Sequence, residues 1–123
     1  MKFTYPKSEK LKSRKQIEKL FNSRKSVYKY PLRLMYLAHE NTENPFQISV
    51  SVSKKHFGKA VDRNYFKRIL RETYRLNQHL LRKNLNKPYS FMLLYQSKER
   101  LSFEEINQKT IELFEKFQQS TSL

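Results

Sequence analysis

Residues 54–75 read KKHFGKAVDRNYFKRILRETYR and contain eight Lys or Arg against two acidic residues. On a helix of 3.6 residues per turn, the cations Arg63, Lys67, Arg71 and Arg75 recur every four positions and form one basic ridge. Like charges at this spacing repel one another, so folding alone gives no reason to align them. A bound polyanion turns the repulsion into attraction, and nucleic acid is the commonest such partner. The alternative is a solvated basic face without a ligand.

The whole chain is strongly cationic, because its 123 residues carry a formal net charge of +15. Such a charge is typical of proteins that bind nucleic acid or lie on a membrane surface. Apolar residues make up 37% of the chain, including 9 Phe and 8 Tyr, which is too many for a disordered basic tail. We therefore expect one folded domain over residues 1–123.

The chain has no Cys, which excludes disulfides and thiolate metal sites and fits a reducing compartment. Its first residues, MKFTYP, lack an apolar signal segment, and no run approaches 18 apolar residues. We expect a cytoplasmic protein that is neither exported nor inserted in a membrane.

Hydrophobic periodicity predicts the order helix, two or three strands, helix, strand, helix. The clearest strand covers residues 47–53, where apolar and polar residues alternate. A capping box from Ser102 to Glu105 begins the last helix. The full set of predicted elements covers residues 9–24, 32–38, 47–53, 60–86 and 89–95, with the last helix from 102 onwards. A helix between two strands of a shared sheet predicts an α+β fold, a small sandwich of helices on a sheet.

The second predicted helix has an apolar stripe opposite its basic ridge. This stripe consists of Val61, Phe66, Ile69, Leu70, Thr73, Tyr74, Leu80 and Leu81. The last helix directs a similar set inward, namely Ile106, Thr110, Leu113, Phe114 and Phe117. Because the apolar face of the basic helix is used in the core, a membrane-surface function is disfavoured.

Three consecutive motifs resemble the protein subunit of bacterial ribonuclease P. They are Ser51-Val52-Ser53-Lys54-Lys55, then Gly58-Lys59-Ala60-Val61, then Arg63-Asn64 with Lys67-Arg68 and Arg71. The family pattern is a strand ending in Ser-Lys-Lys, a glycine turn and a basic helix of the form Arg-Asn-x-x-Lys-Arg-x-x-Arg. The resemblance extends over essentially the whole chain and implies a single RNA-binding domain over residues 1–123. It also implies the order α-β-β-β-α-β-α, with a left-handed crossover at the basic helix.

The resemblance implies that the protein binds a catalytic RNA and the 5′ leader of precursor tRNA. In that family the complex removes the leader, and the RNA with Mg²⁺ performs the hydrolysis. It implies no catalytic residue, metal site or tightly bound cofactor in this chain, and no obligate protein partner. The sequence itself agrees, since His39, His56 and His79 have no second ligand at metal spacing.

The implied RNA-binding residues combine the motif with the adjacent cations. They are Lys54, Lys55, Lys59, Arg63, Asn64, Lys67, Arg68, Arg71 and Arg75. A glycine loop before a helix exposes N–H groups suited to phosphate, and the alternative for Gly58 is a tight turn with positive φ. The implied leader-binding cleft lies between the first helix and the sheet. Its residues are Ile17, Phe21, Arg33, Met35, Tyr36, Ser49, Ser51 and Ser53.

Two residues depart from the family pattern. Tyr65 stands where many members have a second Arg, so that stacking could replace one phosphate contact, and Ile17 stands where members often have an aromatic residue. The alignment leaves either Met35 or Tyr36 facing the cleft. Phe21 and Tyr36 fit either the cleft or the core, since aromatic residues at helix or strand spacing are usually core.

A ribosomal protein or ribosome-assembly factor is the main alternative function, because small basic α+β domains are common among such proteins. A generic ribosomal domain does not need the ordered series from Ser51 to Arg71. Co-purification with one large RNA, rather than with ribosomal particles, distinguishes the two functions.

Overall fold

The computed structural model of the protein describes residues 14–23, 25–39, 46–83, 85 and 87–121. Within these residues the elements follow the order α-β-β-β-α-β-α, as expected. They are α1 (Arg14–Ser23), β1 (Ser26–Lys29), β2 (Leu32–Ala38), β3 (Phe46–Val52), α2 (Ala60–Arg82), β4 (Tyr89–Tyr95) and α3 (Phe103–Thr121). None of the described helices is long and apolar enough to span a membrane.

The strands form a mixed sheet in the order β1-β2-β4-β3. β1 pairs with β2 and β2 pairs with β4 in antiparallel directions, whereas β3 and β4 are parallel. Parallel neighbours require a crossover connection, and α2 supplies it. A hairpin turn with a cis Tyr30–Pro31 peptide joins β1 to β2.

One face of the sheet carries the main core, against which α2 and α3 pack. On β4, the residues Phe91, Leu93 and Tyr95 belong to this face, because alternate residues of a strand share a side. The helices complete the core with Phe66, Ile69, Leu70, Tyr74 and Leu81 from α2 and Ile106, Leu113, Phe114 and Phe117 from α3. Burial of these side chains is the main force that holds the two layers together.

Helix α1 covers part of the opposite face. Its Leu20 is fully buried in a small cluster with Met35 of β2 and with Met92 and Leu94 of β4. Ile17, one turn before, packs at the edge of the same cluster.

The opposite face also includes a polar strip on β3. Ser49 pairs with Met92 and Ser51 with Leu94, so both serines turn toward the side on which α1 lies. Among the described residues, α1 contacts β2 and β4 but not β3. Both serines are partly exposed beside the helix.

The sequence predicts most strand bounds correctly. β2 and β4 have the predicted limits, and β3 covers residues 46–52 instead of 47–53. β1 has 4 residues, of which only Val27 is buried, so it is too short to show a period. The family resemblance, not the hydrophobic pattern, predicts this strand.

Helix α2 ends at Arg82, before the predicted limit at residue 86. Near this end, the Leu81 carbonyl accepts a hydrogen bond of 2.8 Å from Nε2 of Gln118 on α3. This bond satisfies one of the carbonyls that a helix leaves without a partner at its C-terminus. A residue of α3 therefore satisfies one backbone acceptor at the C-terminus of α2.

The predicted core stripe of α2 is confirmed except at its start. Phe66, Ile69, Leu70, Thr73, Tyr74 and Leu81 are buried, and Leu80 is partly buried. Val61 is 71% exposed, so its assignment to the core is wrong. At 3.6 residues per turn, Val61 lies about 140° around the helix from Phe66, on the solvent side.

The prediction for α3 is confirmed. Ser102 Oγ accepts a hydrogen bond of 3.2 Å from the Glu105 N–H, and the Glu105 carboxylate accepts one of 3.2 Å from the Ser102 N–H. This is the reciprocal capping box that the sequence predicts. The five expected core residues of α3 are all buried. For α1, the predicted part before residue 14 lies outside the described residues.

Candidate nucleic-acid interface

The basic loops of the protein meet at one end of the sheet. Val52, the last residue of β3, pairs with Tyr95 at the end of β4, and Tyr95 pairs with Leu32 at the start of β2. The loop of residues 53–59, the loop of residues 96–102 and the β1–β2 hairpin turn therefore share this end.

The loop before α2 is held in place by its own backbone and by one aromatic anchor. The Ser53 carbonyl accepts hydrogen bonds from the N–H groups of His56 and Phe57, at 3.2 and 3.0 Å. Ser53 Oγ accepts a third bond of 3.0 Å from the Lys55 N–H. The buried Phe57 ring stacks on Phe66 of α2, with 4.7 Å between ring centroids. Ser53 thus belongs to this turn and not to the polar strip of β3.

The loop directs its three lysines, Lys54, Lys55 and Lys59, into solvent. Gly58 has no positive φ, so the alternative of a tight turn with positive φ is wrong. A Cβ at this position would meet no heavy atom within 4 Å. The fold therefore does not require a glycine at residue 58.

Arg63, at the start of the ridge, binds the loop that precedes its helix. Its guanidinium donates hydrogen bonds of 2.9 and 2.8 Å to the carbonyls of Phe57 and Gly58. Arg63 thus has an internal structural contact, which the sequence pattern did not indicate. The contact fixes the loop of residues 53–59 relative to α2.

Arg75, at the other end of the ridge, forms an ion pair with Glu72 on the same helix. Arg75 Nε donates to Glu72 Oε2 at 3.1 Å, and a second guanidinium nitrogen reaches the other carboxylate oxygen. The hydrogen bond from Arg75 lowers the pKa of the Glu72 carboxyl, and the same bond raises the pKa of Arg75. Part of the charge at this end is neutralised within the protein.

The centre of the basic helix is open. Asn64, Arg68 and Arg71 are exposed, and Lys67 is partly exposed. Within the part of the chain that the structure describes, their side chains form no ion pair. We call Asn64, Lys67, Arg68, Arg71 and the three loop lysines the cationic surface. Groups of this kind can bind phosphate oxygens by charge-assisted hydrogen bonds.

The loop after β4 contacts the start of α2 through Arg100. The Arg100 guanidinium lies 3.2 Å from the Asp62 carboxylate of α2. It also lies over the rings of Phe66 and Phe57, at 5.3 and 5.9 Å from the centroids. Lys98 in the same loop is exposed.

Two tyrosines hold the loop after β4. The Tyr95 hydroxyl donates to the Glu99 carbonyl and accepts a bond of 3.2 Å from the Leu101 N–H, and burial raises the pKa of Tyr95. The Tyr30 hydroxyl, from the hairpin turn, bonds to Ser97 Oγ and to the Glu99 carboxylate. The bond with Glu99 raises the pKa of Tyr30.

Five of the eight residues of the predicted cleft fall into three groups. Ile17 and Met35 belong to the packed cluster beneath α1, and Ser49 and Ser51 form the polar strip beside it. Phe21 lies one turn after Ile17 and is 45% exposed, so it is not a core residue. Ser49 and Ser51 are partly exposed, so a ligand can reach them and Phe21.

Tyr36 lies on the wrong side of the sheet for the cleft. Its ring contacts Phe117 of α3 edge-on at 5.0 Å and Tyr89 at 6.4 Å, on the face that α2 and α3 cover. Its neighbour Met35 faces α1. Of the two alternatives in the sequence, Met35 has the required orientation, and the assignment of Tyr36 to the cleft is wrong.

Arg33 is directed away from the serines. Its guanidinium donates to Gln96 Oε1 at 3.0 Å and to Ser26 Oγ at 2.9 Å, and lies 4.9 Å from the centroid of the Tyr28 ring. These partners belong to β1 and to the end of β4. Because β4 separates β2 from β3, the structure does not bring Arg33 together with Ser49 and Ser51.

The described side chains offer little for metal binding. Within residues 14–23, 25–39, 46–83, 85 and 87–121, no group of three His, Asp or Glu side chains is arranged to hold a metal ion. The charged groups of the cationic surface are all donors, whereas Mg²⁺ prefers oxygen ligands. This surface therefore fits a phosphate backbone and does not fit a resident metal ion.

The family described as Ribonuclease P has a sequence model that matches residues 5–118, which is most of the chain. The chain belongs to the ribonuclease P protein family.

Two ribonuclease P protein components illustrate the relationship. The one from Porphyromonas gingivalis is 46% identical over 80 residues, a match that covers 64% of this chain but only 58% of that relative. The one from Clostridium botulinum is 33% identical over 111 residues, covering 89% of this chain and 95% of the relative.

Solved structures of ribonuclease P proteins share the fold. The protein from Staphylococcus aureus superposes with a TM-score of 0.71 at 19% identity, covering 89% of this chain and 94% of that one. The protein from Thermotoga maritima gives a TM-score of 0.70 at 23% identity, with 88% and 96% covered.

Sequence reasoning missed two cations of this ribonuclease P family member, Lys98 and Arg100. They lie outside the basic helix, in a loop that no periodic pattern marks. The topology of the sheet was the available signal. Lys98 and Arg100 follow β4, and its parallel neighbour β3 ends just before Lys54, so both loops lie at the same end of the sheet.

Proposed function

We propose that the protein is the subunit of ribonuclease P that binds the catalytic RNA and the 5′ leader of precursor tRNA in the cytoplasm. By doing so it assists removal of the leader, which gives the mature 5′ end of the tRNA. The RNA, with Mg²⁺, carries the hydrolysis, and this chain contributes binding and orientation.

The open centre of α2 is the observation that carries this proposal. Asn64, Arg68 and Arg71 are exposed on a helix whose opposite side is core. The mutual repulsion of Lys67, Arg68 and Arg71 is relieved when these cations neutralise phosphates, and the release of condensed counterions then favours binding. A ligand with closely spaced phosphates fits the charge of this surface.

The polar strip beside α1 suits a single-stranded leader. Ser49 and Ser51 offer hydroxyl groups, and the partly exposed Phe21 offers a ring on the adjoining helix. Hydroxyls bind phosphate or base edges, and an aromatic ring stacks on unpaired bases. The cationic surface at the end of the sheet reduces the repulsion between a leader and a catalytic RNA, because both are polyanions.

Reconstitution with the cognate RNA and a precursor tRNA tests the proposal, with 5′-leader cleavage scored at low Mg²⁺. We expect the protein to stimulate cleavage and to cleave nothing when the RNA is omitted. The double variant Lys67→Ala/Arg71→Ala should lose most of the stimulation. Lys83→Ala/Lys87→Ala is the matched control, since it removes two exposed lysines at or beyond the far end of α2.

Cleavage that is equally fast with and without the protein would overturn the proposal. Co-purification with ribosomal particles and not with one large RNA would favour a ribosomal function instead. Leader removal by RNA-free protein would point to an active site within the chain.

A further inference from the structure

Two apolar side chains are exposed on the basic helix. Val61 is 71% exposed and Tyr65 is 45% exposed, and they lie four residues apart on α2. Residues at this spacing are neighbours on one side of a helix. Adjacent exposed apolar side chains within a charged surface are a candidate for a ligand contact.

The fold does not account for this pair. The core contacts of α2 are made by the opposite side of the helix, through residues such as Phe66 and Leu70. The Tyr65 ring touches Phe66 edge-on, at 5.0 Å between centroids and 84° between planes, which limits its motion while leaving much of it exposed. No hydrogen bond to its hydroxyl is present among the described residues.

Exposed cationic and amide groups adjoin the pair, and Asp62 and the buried Ile69 also lie within about one turn of Tyr65. Asn64 follows Val61 by three residues, and Arg68 follows Tyr65 by three, so each adjoins the pair on the helix surface. Both are exposed members of the cationic surface. The nearest carboxylate in the first turn, Asp62, is paired with Arg100.

We propose that Tyr65, supported by Val61, is a stacking site for an unpaired nucleobase of the RNA that binds the cationic surface. Every base has an apolar π-face, and proteins bind unpaired bases by stacking them on aromatic rings beside phosphate-binding cations. The restrained ring loses little conformational freedom on binding, which favours such a contact. This inference rests on the proposed RNA binding by α2.

Affinity and its salt dependence test the inference. We expect Tyr65→Ala to weaken RNA binding about 5- to 150-fold, the effect of losing one base–aromatic stack. Tyr65→Phe should bind within about twofold of the original protein, because it keeps the ring. Stacking involves no counterion release, so the slope of log K against log salt should stay unchanged in Tyr65→Ala and fall in Lys67→Ala.

A single-tryptophan variant identifies the RNA that supplies the base. The chain contains no Trp, so Tyr65→Trp reports its own environment. We expect its fluorescence to be quenched by the cognate catalytic RNA or by precursor tRNA, tested in separate titrations, and not by a fully paired RNA duplex. Gln108→Trp, at an exposed position of α3, is the matched control and should not respond to any of them.

Wild-type affinity in Tyr65→Ala would overturn the inference while leaving RNA binding intact. An equal loss in Tyr65→Phe and Tyr65→Ala would also overturn it, since the hydroxyl would then be the binding group. If the unmodified protein binds no RNA, the proposed function itself is wrong. This result differs from wild-type affinity in Tyr65→Ala, so failure of the function and failure of the inference are distinguishable.

Discussion

The two faces of the sheet differ in how much they bury and in what they leave accessible. On one face, α2 and α3 enclose a continuous aromatic-rich core that includes Phe66, Phe91, Phe114 and Phe117. On the other, the short α1 covers a small cluster around Leu20 and, among the described residues, does not contact β3, whose Ser49 and Ser51 are partly exposed. The first face therefore fixes the position of the basic helix, whereas we expect substitutions of partly exposed residues on the second face to cost little stability.

Because α2 packs on the first face, it contributes both to the core and to the charged surface. Its inner side is part of the main core, so the helix is rigidly placed, and its outer side carries the cationic surface. A rigid helix presents charges at fixed spacing, which lowers the entropy lost on binding. Variants on the two faces of the sheet should therefore separate stability from RNA binding.

The largest expected effect is on the main core. Phe114→Ala should lower the free energy of unfolding by about 3–5 kcal/mol, because the side chain is fully buried and leaves a cavity. Chemical denaturation measures the change, and Phe114→Leu should show a smaller one. RNA affinity, measured where the variant is folded, should stay at its original value. A loss of affinity in the folded variant would show that the two faces are not separable.

On the opposite face, Phe21→Ala should act on binding. We expect affinity for precursor tRNA to fall by about 1–3 kcal/mol, or roughly 5- to 150-fold, from the loss of one base stack. Affinity for mature tRNA should not change, because it lacks a leader. Phe21 is 45% exposed, so thermal unfolding should change little. A large fall in melting temperature with unchanged preference for precursor tRNA would instead assign Phe21 to packing.

Within the ridge, the open centre should differ from the internally bonded ends. Lys67→Ala and Arg71→Ala should each lower the salt-dependence slope of log K for RNA by roughly 0.9 or less. Arg75→Ala should lower it less, since Glu72 already neutralises part of that charge. Filter binding over a range of salt concentrations measures all three. Equal slopes in every variant would mean that the ridge is a solvated face.

The smallest expected effect concerns Gly58. Since its φ is not positive and a Cβ would meet nothing within 4 Å, Gly58→Ala should leave stability unchanged or raise it by about 0.4–1 kcal/mol. Thermal unfolding measures this. A clear destabilisation would show that the loop needs glycine after all.

Local patterns sufficed for much of the fold. The alternation in β3, the capping box of α3 and the 3.6-residue stripe of α2 each involve residues close in sequence, and each predicted an observed element. The four-residue β1 was too short for such a pattern. Val61 is apolar but lies on the solvent side of α2, so residue type alone misassigns it to the core.

The candidate site was less predictable, since it depends on contacts between distant residues. β2 is apolar on both sides, because α1 covers one and α3 the other, so the sequence could not decide between Met35 and Tyr36. The hydrogen bonds of Arg33 with Ser26 and Gln96 join three strands or their ends. No spacing in the sequence indicates them.

The sequence by itself determined the family, the order of the elements and the concentration of cations on one helix, because these follow from residue types at short spacings. Only the tertiary structure decided which of those cations stay open. Arg63 is bonded to the loop before α2, whereas Arg100 joins the basic helix from a loop after β4. A charge is free or neutralised according to which groups lie within a few ångströms. For Arg100, the topology of the chain brings Asp62 this close, although the two residues are far apart in the sequence.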